Sequence, residues 1–117
     1  MTALRSIDTL DGENSFNCYV AEPEGEVKAA IVVIQEIFGV NAGIRRKADK
    51  LAEAGYLALA PDLFWQLERG IELDPDIEGE MQEALDLMGK FDQDEGVRDI
   101  EAAIKFARSE FGAKKVG

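Results

Sequence analysis

The sequence predicts an α/β fold: a mostly parallel sheet flanked by helices. Two apolar runs carry that reading, Lys28–Gln35 around Ile31-Val-Val-Ile34, and Tyr56-Leu-Ala-Leu-Ala60. Runs of this length and composition read as strands buried on both faces. Between them Ile44, Ala48, Leu51 and Ala52 recur at helical spacing. A strand–helix–strand unit needs a crossover, which is right-handed and leaves its two strands parallel. The third observation is Glu36, an ionisable side chain placed where the first of these strands should end. In open parallel sheets, chemistry gathers just past the carboxyl ends of the strands.

The remaining elements follow in chain order. Leu4–Thr9 and Phe16–Glu22 read as two short strands, joined across Asp11-Gly-Glu-Asn14 by a hairpin-like turn. Pro23 and Gly25 end the second. The first helix is expected to start at Asn41, whose side-chain oxygen can accept from a free backbone N–H. It should stop at Gly55, which tolerates the left-handed conformation. Pro61 and Asp62 close the next strand, and 62–70 is a loop carrying Phe64 and Trp65. Asp74-Pro75 reads as an N-cap followed by proline at the first helical position. Ile77, Met81, Ala84, Leu85 and Met88 then form an apolar stripe to Gly89, for which packing is the default. A third helix runs from about Asp94 to Phe111 with Val97, Ile100, Ile104, Ala107 and Phe111 in period, ended by Gly112. Lys115-Val-Gly117 looks like the first step of another strand.

At 117 residues the chain fits one domain with a modest core, and its apolar fraction of 46% is ordinary. A net charge of −11 argues against nucleic acid and anionic membranes as partners. No apolar run approaches the ~18 residues of a membrane span, and no signal-peptide pattern opens the chain. The single Cys18 lies in strand-like surroundings and has no internal partner, which reads as a structural thiol in a reducing, cytoplasmic setting. Cys and His clusters for structural zinc are absent.

The chemistry-bearing residues each have a plain alternative. Glu36 is either a solvated strand-end carboxylate or a working acid–base group. Asp62 has a sufficient explanation as a cap of its own turn. Phe64 and Trp65 read as packing residues. Arg45, Arg46 and Lys47 read as a solvated helical face, since positive charge is unfavourable at a helix start. Neither G-x-G-x-x-G nor a P-loop occurs. There is no G-x-S-x-G, and no histidine with which to assemble a nucleophile–His–acid triad.

Gln35-Glu-Ile-Phe-Gly-Val-Asn41 closely resembles the signature of the dienelactone hydrolases, also called carboxymethylenebutenolidases. The likeness continues through Ala54-Gly-Tyr56, Ala60-Pro-Asp-Leu63, Leu73-Asp-Pro75, Phe91-Asp92 and Asp99-Ile-Glu-Ala-Ala-Ile104. The resemblance implies an α/β-hydrolase fold, with residues 1–117 as the amino-terminal part of a single domain that stops before the nucleophile elbow. It implies cleavage of a small-molecule ester or lactone by a cysteine in a Gly-Tyr-Cys-x-Gly elbow, assisted by a His and an Asp further on, with no metal or organic cofactor needed. In such an enzyme Glu36 takes the proton of the thiol, and the backbone N–H of Ile37 is one oxyanion-hole donor. Phe38, Met81, Leu85 and Met88 fall at substrate-pocket positions. Relatives acting on dienelactone carry arginine at the position of Met81, and aromatic residues at those of Leu85 and Met88. A thioether cannot make arginine's fork to a carboxylate, so a more apolar pocket and another ester or lactone are equally open. The implied partner for the chain is its carboxyl-terminal half or a second copy. The rival reading is a non-catalytic α/β fragment acting in strand exchange or partner binding.

Overall fold

The computed structural model describes residues 1–117. Four strands, β1 (Thr2–Asp8), β2 (Ser15–Ala21), β3 (Ala30–Val32) and β4 (Leu57–Pro61), form one sheet in the order β1-β2-β4-β3. The helices are α1 (Ala42–Glu53), α2 (Glu80–Lys90) and α3 (Gln93–Phe111). β1 and β2 make the expected antiparallel hairpin, β2 pairs antiparallel with β4, and β3 pairs parallel with β4. The sheet is therefore mixed, with its parallel part where the strand–helix–strand unit lies.

Alternation along the strands divides the core. Phe16, Cys18 and Val20 of β2 and Leu57 and Leu59 of β4 face α3, which meets them with Ala102, Ala103 and Ala107. Ala21 and Ala58 lie on the other face, against Ala48 of α1 with Tyr19, Val33 and Leu51 around them. All five residues of β4 are buried, as expected of a strand covered on both sides. Cys18 is wholly enclosed, and burial pushes its thiol up to about 12, so it is a structural side chain.

α1 follows its local signals. The Asn41 side chain accepts from the Ile44 N–H at 3.2 Å, and Gly55 takes φ +98° just past the last turn. Asp92 caps α3, accepting from the N–H groups of Asp94 and Glu95, and Gly112 ends it at φ +66°.

Four expectations need correction. β3 covers only Ala30–Val32 rather than 28–35, and is half-buried beyond Ala30, with Ile34 55% exposed. The cause is its place at the side of the sheet away from β2. There Lys115–Gly117 runs parallel beside it, with Ala30 N–H to Lys115 C=O at 2.9 Å and Val32 N–H to Gly117 C=O at 2.8 Å. α2 begins at Glu80, not at Pro75. Asp74 does cap a turn through the Asp76 N–H at 2.8 Å, but Gly79 at φ +88° breaks the path before the helix starts. The stripe on α2 is not packed: only Ala84 is buried, while Ile77, Met81, Leu85 and Met88 are all exposed. On α3 the buried face is Gly96, Asp99, Ala102, Ala103 and Ala107, and Val97 is exposed. Small residues let this helix close onto the large side chains of the sheet.

Candidate active site

The chain leaves the sheet at Val33, whose N–H still reaches Leu59 C=O at 2.7 Å. It then folds into a tight turn over Glu36–Gly39, closed by Gly39 N–H to Glu36 C=O at 3.2 Å. Gly39 sits at φ +78°, and a Cβ built there would lie 2.1 Å from the Ile71 carbonyl oxygen. Only glycine allows this approach. The turn is fastened to the segment 71–73 by Leu73 N–H to Phe38 C=O at 2.8 Å, and by the Asn41 amide donating to Leu73 C=O at 2.9 Å. It is fastened to the loop after β4 by Gln35, whose Oε1 accepts from the Leu63 N–H at 2.9 Å. The Gln35 Nε2 turns back to donate to Glu36 C=O at 3.3 Å. The Ile37 N–H has no acceptor within the chain.

The Glu36 side chain projects into solvent and meets the Lys47 Nζ at 3.7 Å. An exposed pair of this kind is worth about 0–1 kcal/mol, so Glu36 is free to change partners. Beside it runs a groove of about 160 Å³, walled by Ile34, Ile37, Leu63, Phe64, Met88 and Phe91. The structure thus brings Glu36, Ile37 and Met88 together. It does not bring in the other pocket candidates. Phe38 packs against the small core of Phe64, Ile71, Leu73 and Ala84. Met81 and Leu85, 42% and 50% exposed on α2, are not among the groove walls. Leu63 and Phe91 are groove walls that the sequence reading did not single out. Phe64, read as packing, does pack, and walls the groove as well. The signal for Leu63 was its place just past the end of β4; Phe91 was marked only by the Phe91-Asp92 match, without a role, and it enters through an edge-to-face contact with Phe64 at 5.5 Å.

The neighbouring loop is held from beneath. Asp62, almost fully buried, accepts from the N–H groups of Phe64 at 3.2 Å and Gly70 at 2.9 Å, which is the capping role expected of it. Trp65 stacks on Phe16 and donates from Nε1 to the buried Asp99 at 2.8 Å. Burial raises both carboxyls above the ordinary Asp value, against the opposing pull of these hydrogen bonds. Across the turn lies a second, mostly apolar cleft of about 290 Å³ bordered by Tyr19, Val40, Arg45, Ile71 and Glu72. Arg45 is not simply solvated. It pairs with Glu72 and donates to Val40 C=O, so it braces the same turn. No three His, Cys, Asp or Glu side chains converge as a metal site would require.

The sequence profile of the dienelactone hydrolase family matches residues 16–117. A carboxymethylenebutenolidase of Pseudomonas putida is 41% identical over 113 residues, which is 96% of this chain and 48% of that protein. Among solved structures, a Klebsiella pneumoniae protein assigned as a dienelactone hydrolase superposes with a TM-score of 0.74 at 28% identity, covering 93% of this chain and 44% of that one. An α/β serine hydrolase of Xanthomonas campestris superposes with a TM-score of 0.58 at 15% identity, over 98% of this chain and 48% of the other, a likeness of fold alone. The chain spans about half the length of the curated relatives it matches.

Proposed function

The chain belongs to the dienelactone hydrolase family and has the α/β-hydrolase fold, and from that premise we propose that it is the amino-terminal portion of a domain that hydrolyses an ester or lactone. The nucleophile, a cysteine thiol, would lie beyond Gly117. The observation that carries this reading is the turn after β3. It presents an ionisable side chain, a backbone N–H without an acceptor and an apolar groove at one place. Lys115–Gly117 supports it, because a strand continuing in that direction beside β3 would end near Glu36.

In the proposed reaction Glu36 takes the thiol proton as substrate arrives, leaving Lys47 to do so. The thiolate sulfur adds to the carbonyl carbon, and the carbonyl electron pair moves onto oxygen. The Ile37 N–H donates to that oxygen as charge develops, which is where a fixed donor contributes most. The intermediate collapses to a thioester, and the departing alkoxide leaves as the alcohol by taking up the proton that Glu36 removed; water then adds to the thioester carbonyl and displaces the sulfur, releasing the acid and restoring the thiol. Phe64, Met88 and Phe91 bound the space for the apolar part of the substrate. Met81 offers no charge and stands outside the groove, so the proposal favours a neutral ester or lactone over one carrying a carboxylate.

Glu36→Gln keeps the size of the side chain and removes the proton acceptor. In the full-length protein, stopped-flow acylation with a chromogenic ester should slow about 10²-fold or more. The thermal midpoint should hardly move, because the side chain is two-thirds exposed. Unchanged acylation with a lowered midpoint would make Glu36 a structural residue and remove the proposed role.

A further inference from the structure

Gln35 precedes the proposed proton acceptor, yet its own side chain is half-buried and both ends of its carboxamide are committed. The Oε1 atom holds the Leu63 N–H, which ties the loop after β3 to the loop after its sheet neighbour β4. The Nε2 atom holds Glu36 C=O. That carbonyl also accepts from the Gly39 N–H at 3.2 Å, so two donors grip it from different sides of the turn. The carbonyl of Glu36 and the N–H of Ile37 belong to one planar trans peptide, and point in opposite directions. Gripping the carbonyl therefore fixes the heading of the N–H, the donor with no acceptor in the chain. A surface turn gripped at one point only could rotate this peptide and lose the donor.

We infer that Gln35 is a positioning residue for ester cleavage: its carboxamide locks the Glu36–Ile37 peptide so that the Ile37 N–H stays aimed at the substrate's carbonyl oxygen. This rests on the reading of Ile37 as the oxyanion donor. It adds a requirement that reading does not contain, namely that a side chain outside the reacting atoms sets the donor's direction. A preorganised donor acts on the transition state more than on bound ester, so its misalignment should appear in kcat rather than in KM.

Three variants of the full-length protein test this. Gln35→Leu removes both hydrogen bonds, and should lower kcat roughly 10- to 100-fold with KM within about twofold. Gln35→Glu keeps an acceptor for the Leu63 N–H and loses the donor to Glu36 C=O. It should hold the wild-type thermal midpoint while kcat stays low, and amide hydrogen exchange at Ile37 should change in both variants. A folded Gln35→Leu protein with wild-type kcat would overturn the inference. So would recovery of kcat along with stability in Gln35→Glu, because a loop tie alone would then suffice. If Gln35→Leu does not fold, Gln35→Glu decides by the same criterion. Replacing the Ile37 amide by a backbone ester removes the donor itself. If kcat falls there but not in the Gln35 variants, the inference fails and the donor reading stands. If it does not fall there, the donor reading fails and the inference with it.

Discussion

Asp62 and Asp99 are the two carboxylates below the surface, and neither makes an ion pair. Each is instead held by N–H donors, which sustain a buried charge only in part. Around Asp99 stand Glu95 and Arg98 of its own helix, Trp65 with Arg69 over its ring at 5.1 Å, and Asp11 of the hairpin turn. Desolvation dominates, so the folded protein binds this proton more tightly than the unfolded chain does. A carboxyl raised in this way stabilises the fold below its unfolded value, near 4, and the gain is lost as pH rises through the folded value. Asp99→Asn keeps an oxygen for the Trp65 N–H and abolishes the titration. The variant should match or exceed the wild-type thermal midpoint at pH 7.5, and that advantage should shrink as the pH is lowered towards 4. A variant clearly less stable at pH 7.5 would show that the charged hydrogen bond to Trp65 outweighs desolvation.

The turn after β3 stands or falls by the space around Gly39. Alanine at a left-handed position costs about 1–2 kcal/mol, and at Gly39 its Cβ would also meet backbone at 2.1 Å. Gly12, in the hairpin turn at φ +73°, has nothing within 4 Å and serves as the control. Gly12→Ala should lower the midpoint by a few degrees. Gly39→Ala should lower it by roughly 10 °C or more, because the segment 71–73 must move. Equal effects would mean that the turn yields cheaply and is not a rigid platform. At this level the sequence was readable wherever one residue did a local job. Asn41, Asp62, Gly55 and Gly112 marked their boundaries because a cap is set by its immediate neighbours, whereas Asp92, which caps α3, carried no such reading. It was unreadable where distant packing decided. The Asp74 cap signal was real but served a turn, and nothing local said that Gly79 would reset the chain. The stripe through Val97 outscored the alanine face of α3 on hydrophobicity, yet the sheet needed the small residues. Within the candidate site the Gln35–Asn41 motif located Glu36 and Ile37. Phe91 comes from another element and could be placed only by the fold.

The molecule is a slab of 42 × 33 × 19 Å, with a radius of gyration of 14.1 Å, against about 13 Å for a compact domain of this length. Its thinness leaves apolar side chains in water. Met81, Leu85 and Met88 lie along α2 and Ile77 in the turn before it, with Ile34 at the neighbouring groove, and α2 itself rests through Ala84 and Leu87 on a small loop core. Contiguous apolar surface of this kind favours association. Opposing it is the net charge of −11, which repels like molecules over about 10 Å at 0.1 M salt and about 3 Å at 1 M. The two effects respond differently to salt: the repulsion is screened and burial of apolar surface is not. The 117-residue chain should therefore self-associate at micromolar concentration, and more strongly in 0.5 M than in 0.05 M sodium chloride. Sedimentation velocity at the two salt concentrations measures this directly. Changing Met81 and Leu85 together to lysine should abolish the salt-promoted species, since neither side chain belongs to a buried core cluster. A monomer at both salt concentrations would show that the exposed face of α2 is too dispersed to hold a partner. Association that weakens with salt would point instead to charge pairing between copies.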